Sequence, residues 1–186
     1  MVSAALEFKC LVDNVFSTYI DSIFGYSKLL ETIAISQKEN VQQLEATDPT
    51  KANLQFLDNQ EMCYSLLESK LVRGTAGQFK NRNRLNSSNW QWAARMFIVT
   101  IYELWDGEYR DKIGSQKGLS KGQLILPIMG DIRLLRHWII HSKSVPNEIV
   151  EKMTEIDWCV NGEQLIFNLK NLNDIVLNLY EALESI

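Results

Sequence analysis

Several features are missing from this sequence, and each absence narrows what the chain can be. It has three cysteines among 186 residues, Cys10, Cys63 and Cys159, and no two of them form a CxxC pair. No apolar run approaches the roughly 18 residues that a membrane-crossing helix needs. The N-terminus lacks the basic stretch followed by an apolar run that marks a secretory signal. The sequence therefore predicts a soluble, cytoplasmic protein whose cysteines are reduced and buried.

Acidic residues are absent between positions 69 and 102, although the formal net charge is −4. Phosphates respond to nearby charge more than to the net charge of a protein, so a local basic strip can bind a polyanion. Arg82 and Arg84, in the polar stretch beside Trp90 and Trp92, are its candidate nucleic-acid contacts, since aromatic rings can stack on unpaired bases. A solvated loop with helix ends is the alternative. The basic residues of the strip are Lys70, Arg73, Lys80, Arg82, Arg84 and Arg95.

Apolar residues recur mostly at three- and four-residue spacing, which is typical of helices packed through one face. Helices are predicted at residues 2–45, with Gly25 as a point where the helix bends or splits, and from 54 to 74 or 77. Further helices are predicted at 89–113, through 131 to about 143, and at 172–186. Residues 81–88 and 114–122 are predicted loops. We expect one all-α domain over residues 1–186, a bundle of four to five helices.

One segment near the C-terminus departs from the helical pattern. Asn161-Gly162 separates two apolar runs, and Asn-Gly readily supplies the two positive φ angles of a tight type I′ turn. The sequence therefore predicts a small β-hairpin at about residues 156–167, inserted in the helical domain.

Both histidines of the chain lie in the segment Asp131-Ile-Arg-Leu-Leu-Arg-His-Trp-Ile-Ile-His141. Each helical residue advances about 100°, so the segment divides into an apolar face and a polar face. The apolar face includes Trp138, and Ile140 is the one apolar residue on the polar side. The polar face carries two guanidiniums and two imidazoles, those of Arg133, Arg136, His137 and His141.

A metal site is one interpretation of the two histidines. His137 and His141 have the i, i+4 spacing of two helical zinc ligands. However, the HExxH pattern needs glutamate where Trp138 stands, positive charge flanks the pair, and no cluster of cysteines supplies further ligands. The sequence therefore predicts no metal and no other cofactor.

Phosphoryl chemistry suits these residue types better. Metal-independent RNA cleavage needs a base for the 2′-hydroxyl, an acid for the leaving 5′-oxygen and positive charge on the pentavalent phosphate. Histidine exchanges protons near neutral pH, and arginine holds two phosphate oxygens in its planar fork.

The run Arg136-His-Trp-Ile-Ile-His141 resembles the R-x4-H motif of the HEPN (higher eukaryotes and prokaryotes nucleotide-binding) family. The lead-in Pro127-Ile-Met-Gly-Asp131-Ile-Arg133 is similar to that of bacterial HEPN proteins. The resemblance covers about residues 125–145.

The resemblance implies a HEPN-like bundle of four to five helices that pairs with a second copy, so that two R-x4-H helices build one composite site. Many HEPN domains are metal-independent endoribonucleases of toxin–antitoxin and antiviral defence systems. On that pattern Arg136 stabilises the scissile phosphate, His141 is the general acid or base, and His137 supports it by hydrogen bonding. Arg133 and Asp131 contact the substrate or support the catalytic groups. RNA, a second copy of the chain and an antitoxin or other regulatory protein are the expected partners, without a membrane.

Lys143 marks a departure from part of the family. In HEPN toxins silenced by adenylylation, a tyrosine stands two residues after the motif histidine, and here that position is Lys143. We therefore do not expect that silencing chemistry, and we count Lys143 among the substrate-binding residues. Two alternatives to an enzyme remain at this point: a catalytically silent HEPN-type module that binds a protein or a nucleotide, and a purely structural helical bundle.

Overall fold

A computed structural model describes residues 3–66 and 69–186 of the chain, with the backbone alone for 61–66 and 69–73. The described chain is mostly helical, which confirms the all-α expectation in its coarse form. A π-helical turn at Trp105–Tyr109 joins two of the helices, and short 3-10 helices lie at Pro49–Lys51 and Glu148–Lys152. The elements are α1 (Ala4–Thr47), α2 (Leu54–Asp58), β1 (Glu61–Leu66), β2 (Ser69–Thr75), α3 (Ala76–Asn83), α4 (Ser88–Leu104), α5 (Arg110–Gln116), α6 (Pro127–His141) and α7 (Leu169–Glu184).

The chain divides into two compact units. The first unit consists of residues 1–20 and 91–186, and the second unit consists of residues 21–90. The first unit contains the whole of α6 and therefore the whole R-x4-H motif. The expectation of a single domain over residues 1–186 stays a prediction.

The core of the first unit is aromatic and aliphatic. Phe8 is fully buried against Tyr109 and Trp105, with ring centroids 5.1 and 5.6 Å away. Trp138 of α6 is also fully buried, and its Nε1 donates to Asn147 Oδ1 at 3.2 Å. Removing such a side chain costs about 3–5 kcal/mol. Because Trp138 is buried, the opposite face of α6 lies toward solvent. The fully buried residues around this core include Ile98, Ile101, Ile132, Leu135, Leu172 and Leu179.

The second unit differs most from the sequence-based prediction. The predicted second helix from residue 54 stops at Asp58, and β1 and β2 pair antiparallel where its continuation was expected. Leu67 of that prediction lies outside the described residues. A capping box then starts α3, because Thr75 Oγ1 accepts from Gln78 N–H while the Gln78 side chain accepts from Thr75 N–H. Residues 81–83 are consequently helical, and the predicted loop shortens to 84–87.

The long helices match the prediction closely. Helix α1 runs without interruption through Gly25, so the helix does not split there. The predicted helix 89–113 is present as α4, the π-helical turn and α5, and it continues to Gln116. Leu119 then folds back, and its N–H donates to the Gly114 carbonyl at 2.8 Å. A Cβ on Gly114 would stand 3.0 Å from the Leu119 carbonyl oxygen, so glycine permits this close approach.

The predicted hairpin at residues 156–167 is wrong, although the turn within it is present. Glu163 N–H donates to the Val160 carbonyl at 3.2 Å, and Gly162 has φ of 78°. Asn161 does not share the positive φ that a type I′ turn requires. No residue in 156–167 belongs to a strand, because their backbone groups find partners elsewhere. Two of them bond backward, Gly162 N–H to the Pro146 carbonyl and Leu165 N–H to the Ser144 carbonyl, at 2.9 and 2.8 Å.

The cysteines also differ in part from the prediction. Cys10 is exposed and Cys159 is half-buried, and both are free thiols. Burial raises the pKa of Cys159 to about 12, with the Asp131 and Asp157 carboxylates adding to the shift, so this thiol stays protonated at neutral pH. The Cys63 side chain lies outside the described residues. Across 3–66 and 69–186, none of the helices combines the length and apolar character that a bilayer crossing requires.

Candidate functional site

Helix α6 presents the predicted polar stripe to solvent. Arg133, His137 and His141 are exposed, and Arg136 is half-buried. Trp138 on the opposite side is fully buried, as the helical spacing predicts. Ile140 is 46% exposed and lies within the stripe. The structure therefore leaves Arg133 and both imidazoles accessible to solvent, and Arg136 partly so.

The two imidazoles stand side by side. The ring centroids of His137 and His141 are 5.0 Å apart, with the planes tilted by 43°. No hydrogen bond joins them in the described part of the chain, although side chains at i and i+4 are neighbours on a helix surface. The expectation that His137 supports His141 by a hydrogen bond is therefore not met within one chain.

Arg136 is held by an acidic residue that the motif does not contain. Its Nε and one Nη lie 2.8 and 2.7 Å from Glu103 Oε1, and its guanidinium carbon lies 5.7 Å from the Tyr102 ring centroid. Glu103 is the first acid after the acid-free stretch, and sequence reasoning did not connect it to the motif. The ion pair orients the guanidinium, and it also places a carboxylate next to the predicted phosphate-binding group.

Asp131 does not join the stripe. It is only 3% exposed, and its carboxylate accepts hydrogen bonds from the backbone N–H groups of Thr154, Glu155 and Ile156. The three shortest of these distances run from 2.7 to 3.0 Å. Asp131 anchors the chain after the 3-10 helix at Glu148–Lys152 to α6. This arrangement corrects the expectation that Asp131 contacts the substrate.

The motif histidine is the last residue of α6. Beyond His141, both Lys143 and Ser144 have positive φ, 52° and 62°, which residues other than glycine rarely adopt. Ser144 is buried, and its N–H donates to the Trp138 carbonyl at 2.8 Å, which helps to hold this conformation. Left-handed residues of this kind cost about 1 kcal/mol or more each and concentrate at functional sites. Lys143 is exposed at this turn, two residues from His141.

One cation of the basic strip, Lys80, forms an ion pair with an acidic residue. Lys80 Nζ lies 2.5 Å from Asp58 Oδ1, and the bond from Lys80 together with one from Gln37 lowers the pKa of Asp58. Arg82 lies over the Phe79 ring at 4.6 Å, and Arg84 is exposed after α3. These residues belong to the second unit and the motif to the first, so RNA contact by Arg82 and Arg84 stays a prediction. The Lys70 and Arg73 side chains lie outside the described residues.

No cluster of three metal-binding side chains is present among the residues whose placement the structure describes. Comparison with protein-family models, with curated proteins and with solved structures gave no match to this chain. The HEPN resemblance therefore rests on the R-x4-H motif and its lead-in.

The Glu103 contact leads to a prediction about RNA affinity. Replacing Glu103 by glutamine removes a carboxylate beside Arg136, and we expect RNA to bind about two- to fivefold more tightly, the scale of an exposed ion pair. The measurement is the Kd of a fully 2′-O-methylated single strand, which cannot be cleaved through its 2′-oxygen. Glu108→Gln is the matched control, because it removes an exposed acid whose partner is Lys112. Equal effects of the two substitutions would show that Arg136 is not a phosphate contact.

Proposed function

We propose that this chain is a metal-independent endoribonuclease of the HEPN type, with a HEPN-like fold and a composite site formed by two copies. The observation that carries the proposal is the solvent side of α6, where His137 and His141 are exposed side by side and Arg136 is half-buried on the same helix. The motif supplies the residue types that metal-free phosphodiester cleavage needs, and the buried Trp138 behind it holds that face outward.

The proposed chemistry is an internal transfer of the phosphoryl group. One histidine accepts the proton of the 2′-hydroxyl, the 2′-oxygen attacks phosphorus, and the bond from phosphorus to the 5′-oxygen breaks. A second histidine donates the proton that the leaving 5′-oxygen takes up, so the products are a 2′,3′-cyclic phosphate and a 5′-hydroxyl. His141 is the proposed acid or base, and Arg136 stabilises the charge on the pentavalent phosphate.

A second copy of the chain supplies the partner site. Within one chain, the His137 and His141 rings stand side by side with centroids 5.0 Å apart, whereas in-line cleavage needs the base and the acid on opposite sides of the phosphate. The exposed apolar residues of the first unit favour such pairing. Trp92 and Met96 are 60% and 55% exposed one turn apart on α4, and Ile140 is exposed within the stripe itself. Apolar groups of this size support association when a second surface covers them.

The biological role we propose is that of a toxin or defence effector. A nuclease that needs no metal is active wherever it folds, so such a role requires control by an antitoxin or another regulatory protein. The exposed stripe is the surface that such a partner would cover. The ion pair between Arg136 and Glu103 favours the second candidate function, a catalytically silent module that binds a protein or a nucleotide.

The decisive experiment incubates the purified chain with end-labelled single-stranded RNA in EDTA. We expect cleavage products with 2′,3′-cyclic phosphate ends, and a rate per subunit that rises with protein concentration as pairs form. DNA of the same sequence and 2′-O-methylated RNA are the controls, because neither has a 2′-hydroxyl to attack. RNA left intact, or cleavage that EDTA abolishes, would overturn the proposal. Intact RNA together with binding of a mononucleotide would indicate the silent module.

A further inference from the structure

An open cleft lies beside the polar stripe in the first unit. It has a volume of about 490 Å³, within the range of small-molecule sites. Trp105 and Met129 contribute buried apolar surface, Tyr102 lines the side toward Arg136, and Arg110 and Arg133 supply positive charge. Gly130 of α6 also lines the cleft, and a Cβ added there meets no atom within 4 Å.

The two arginines of the cleft differ in their availability. Arg110 Nε donates to the Leu124 carbonyl at 3.0 Å, and one Nη lies 3.6 Å from Asp106. Arg133 is exposed and forms no ion pair with any side chain that the structure describes. An exposed guanidinium without an acidic partner, at the edge of an apolar cavity, is suited to a ligand that is anionic at one end and apolar at the other.

Tyr102 connects the cleft with the motif. Its ring lies beneath the Arg136 guanidinium and also lines the cleft with Arg133. Burial raises the pKa of Tyr102, and Asp106 adds to the rise, while Arg133, Arg136 and Arg110 oppose it. The hydroxyl therefore stays protonated at neutral pH and can donate a hydrogen bond. A group in the cleft would lie next to whatever Arg136 holds.

The backbone at this place is unusual as well. Residues Trp105–Tyr109 form a π-helical turn, and the first of them is a cleft residue. Such turns insert an extra residue into a helix and occur frequently at functional sites. The π-helical turn is an observation independent of the two arginines, and it lies at the same cleft.

We propose that the cleft binds one unpaired nucleotide, with its phosphate on Arg133 and its base between Tyr102 and the apolar surface of Met129. The flat ring suits the aromatic and apolar lining, and the phosphate suits the free guanidinium. The inference rests on the proposed function for its placement. If Arg136 holds the scissile phosphate, the nucleotide in the cleft is a neighbour in the same strand, and the cleft sets base preference. A free nucleotide carries the same chemistry, so both sources are tested.

The test fills the cleft from Gly130. Gly130→Leu adds a side chain to open space at an exposed helical position, and leucine favours helix over glycine. Gly25→Leu is the matched control, since Gly25 is also an exposed helical glycine, also free of atoms within 4 Å of an added Cβ, and not a cleft residue. Arg133→Gln is a second variant that removes the guanidinium without filling the cleft. Fluorescence anisotropy measures the affinity of each protein for a labelled, 2′-O-methylated single strand of mixed sequence. Unlabelled 5′-mononucleotides are added as competitors.

We expect Gly130→Leu and Arg133→Gln to weaken binding of the strand about tenfold, with Gly25→Leu close to wild type. If mononucleotides compete with the strand in wild type but not in Gly130→Leu, the cleft also accepts free nucleotides. If they do not compete in wild type, the cleft accepts a nucleotide only as part of a strand. Equal affinities of the two leucine variants, or no binding by wild type, would overturn the proposal. The probe cannot be cleaved, so the result stands apart from the proposed catalysis. If Gly130→Leu loses binding, nucleotide binding in the cleft is supported even if wild type leaves RNA intact. If Gly130→Leu cleaves RNA with unchanged base preference, the proposal for the cleft fails while the proposed cleavage stands.

Discussion

Replacing His141 by alanine is expected to reduce the rate of RNA cleavage by a factor of about 10²–10⁴. Proton transfer by a positioned side chain contributes on that scale, and alanine leaves nothing that can exchange a proton. His141 is exposed at the last position of α6, so its removal leaves the buried side of the helix intact. The measurement is the single-turnover rate on end-labelled RNA in EDTA, with thermal unfolding followed in parallel.

Replacing Arg136 by alanine is part of the same prediction and is expected to cost about 10²–10³ in rate, the scale of losing one electrostatic stabiliser. Arg136→Lys is the informative companion, because it keeps the charge and loses the planar fork. We expect it to retain part of the activity lost in Arg136→Ala. Either substitution removes few contacts, since the partners of Arg136 in the described structure are Glu103 and the Tyr102 ring.

His137→Ala is the internal comparison. Because the structure shows no hydrogen bond between the two histidines of one chain, we expect a smaller loss than for His141→Ala. All variants are purified in the same way as wild type, so a contaminating nuclease would cleave equally in every sample. Equal cleavage by wild type, His141→Ala and Arg136→Ala would therefore contradict the proposed mechanism.

The helices could be predicted from the sequence wherever one apolar face repeats over many turns. The bounds of α1, α6 and α7 lie within about three residues of the prediction at all ends but the start of α6, which the sequence left open. The polar stripe could be predicted from the same helical period. Leu135 and Trp138 are apolar and buried, so the polar residues between them lie toward solvent. Local pattern was sufficient where a helix makes its own backbone hydrogen bonds.

The prediction failed where backbone groups bond to distant partners. The segment 156–167 has a turn signal and an alternating pattern, with Leu165 and Phe167 buried and Ile166 exposed. However, Phe167 pairs its N–H and carbonyl with the side-chain amide of Gln91, at 2.9 and 2.8 Å. A buried glutamine thus takes the place of a neighbouring strand. Nothing in the local sequence around 156–167 indicates that a residue 76 positions away fills this role.

The site shows the same limit. The motif predicted Arg136, His137 and His141 together, because they lie on one helix. It did not predict Glu103, which comes from α4, or the unusual φ angles of Lys143 and Ser144, which lack the glycine or asparagine that commonly signals them. Contacts between elements are set by packing, so their partners are not readable from spacing along one helix.

Asp131 gives the second large effect, and this effect is on stability. Asp131→Ala leaves three backbone N–H groups near Ile156 without their acceptor, and we expect the free energy of unfolding to fall by about 2–4 kcal/mol. Asp131→Asn is expected to lose less, since the three shortest bonds all go to Oδ2 and an amide oxygen can take its place, although the negative charge is lost. Urea denaturation at neutral pH measures both. Asp111→Ala is the matched control, an exposed helical aspartate with an expected change within about 0.5 kcal/mol.

The same variants separate a structural role for Asp131 from a catalytic one. If the carboxylate only anchors the chain at residues 154–156, the folded fraction of Asp131→Asn cleaves RNA at the wild-type rate per molecule, and activity falls only as the protein unfolds. If it instead acts on His137 or His141, the rate falls under conditions where the variant is fully folded. Burial to 3% exposure and bonds to three backbone amides favour the first outcome. A folded, inactive Asp131→Asn would show that Asp131 supports the catalytic groups, as the resemblance implies.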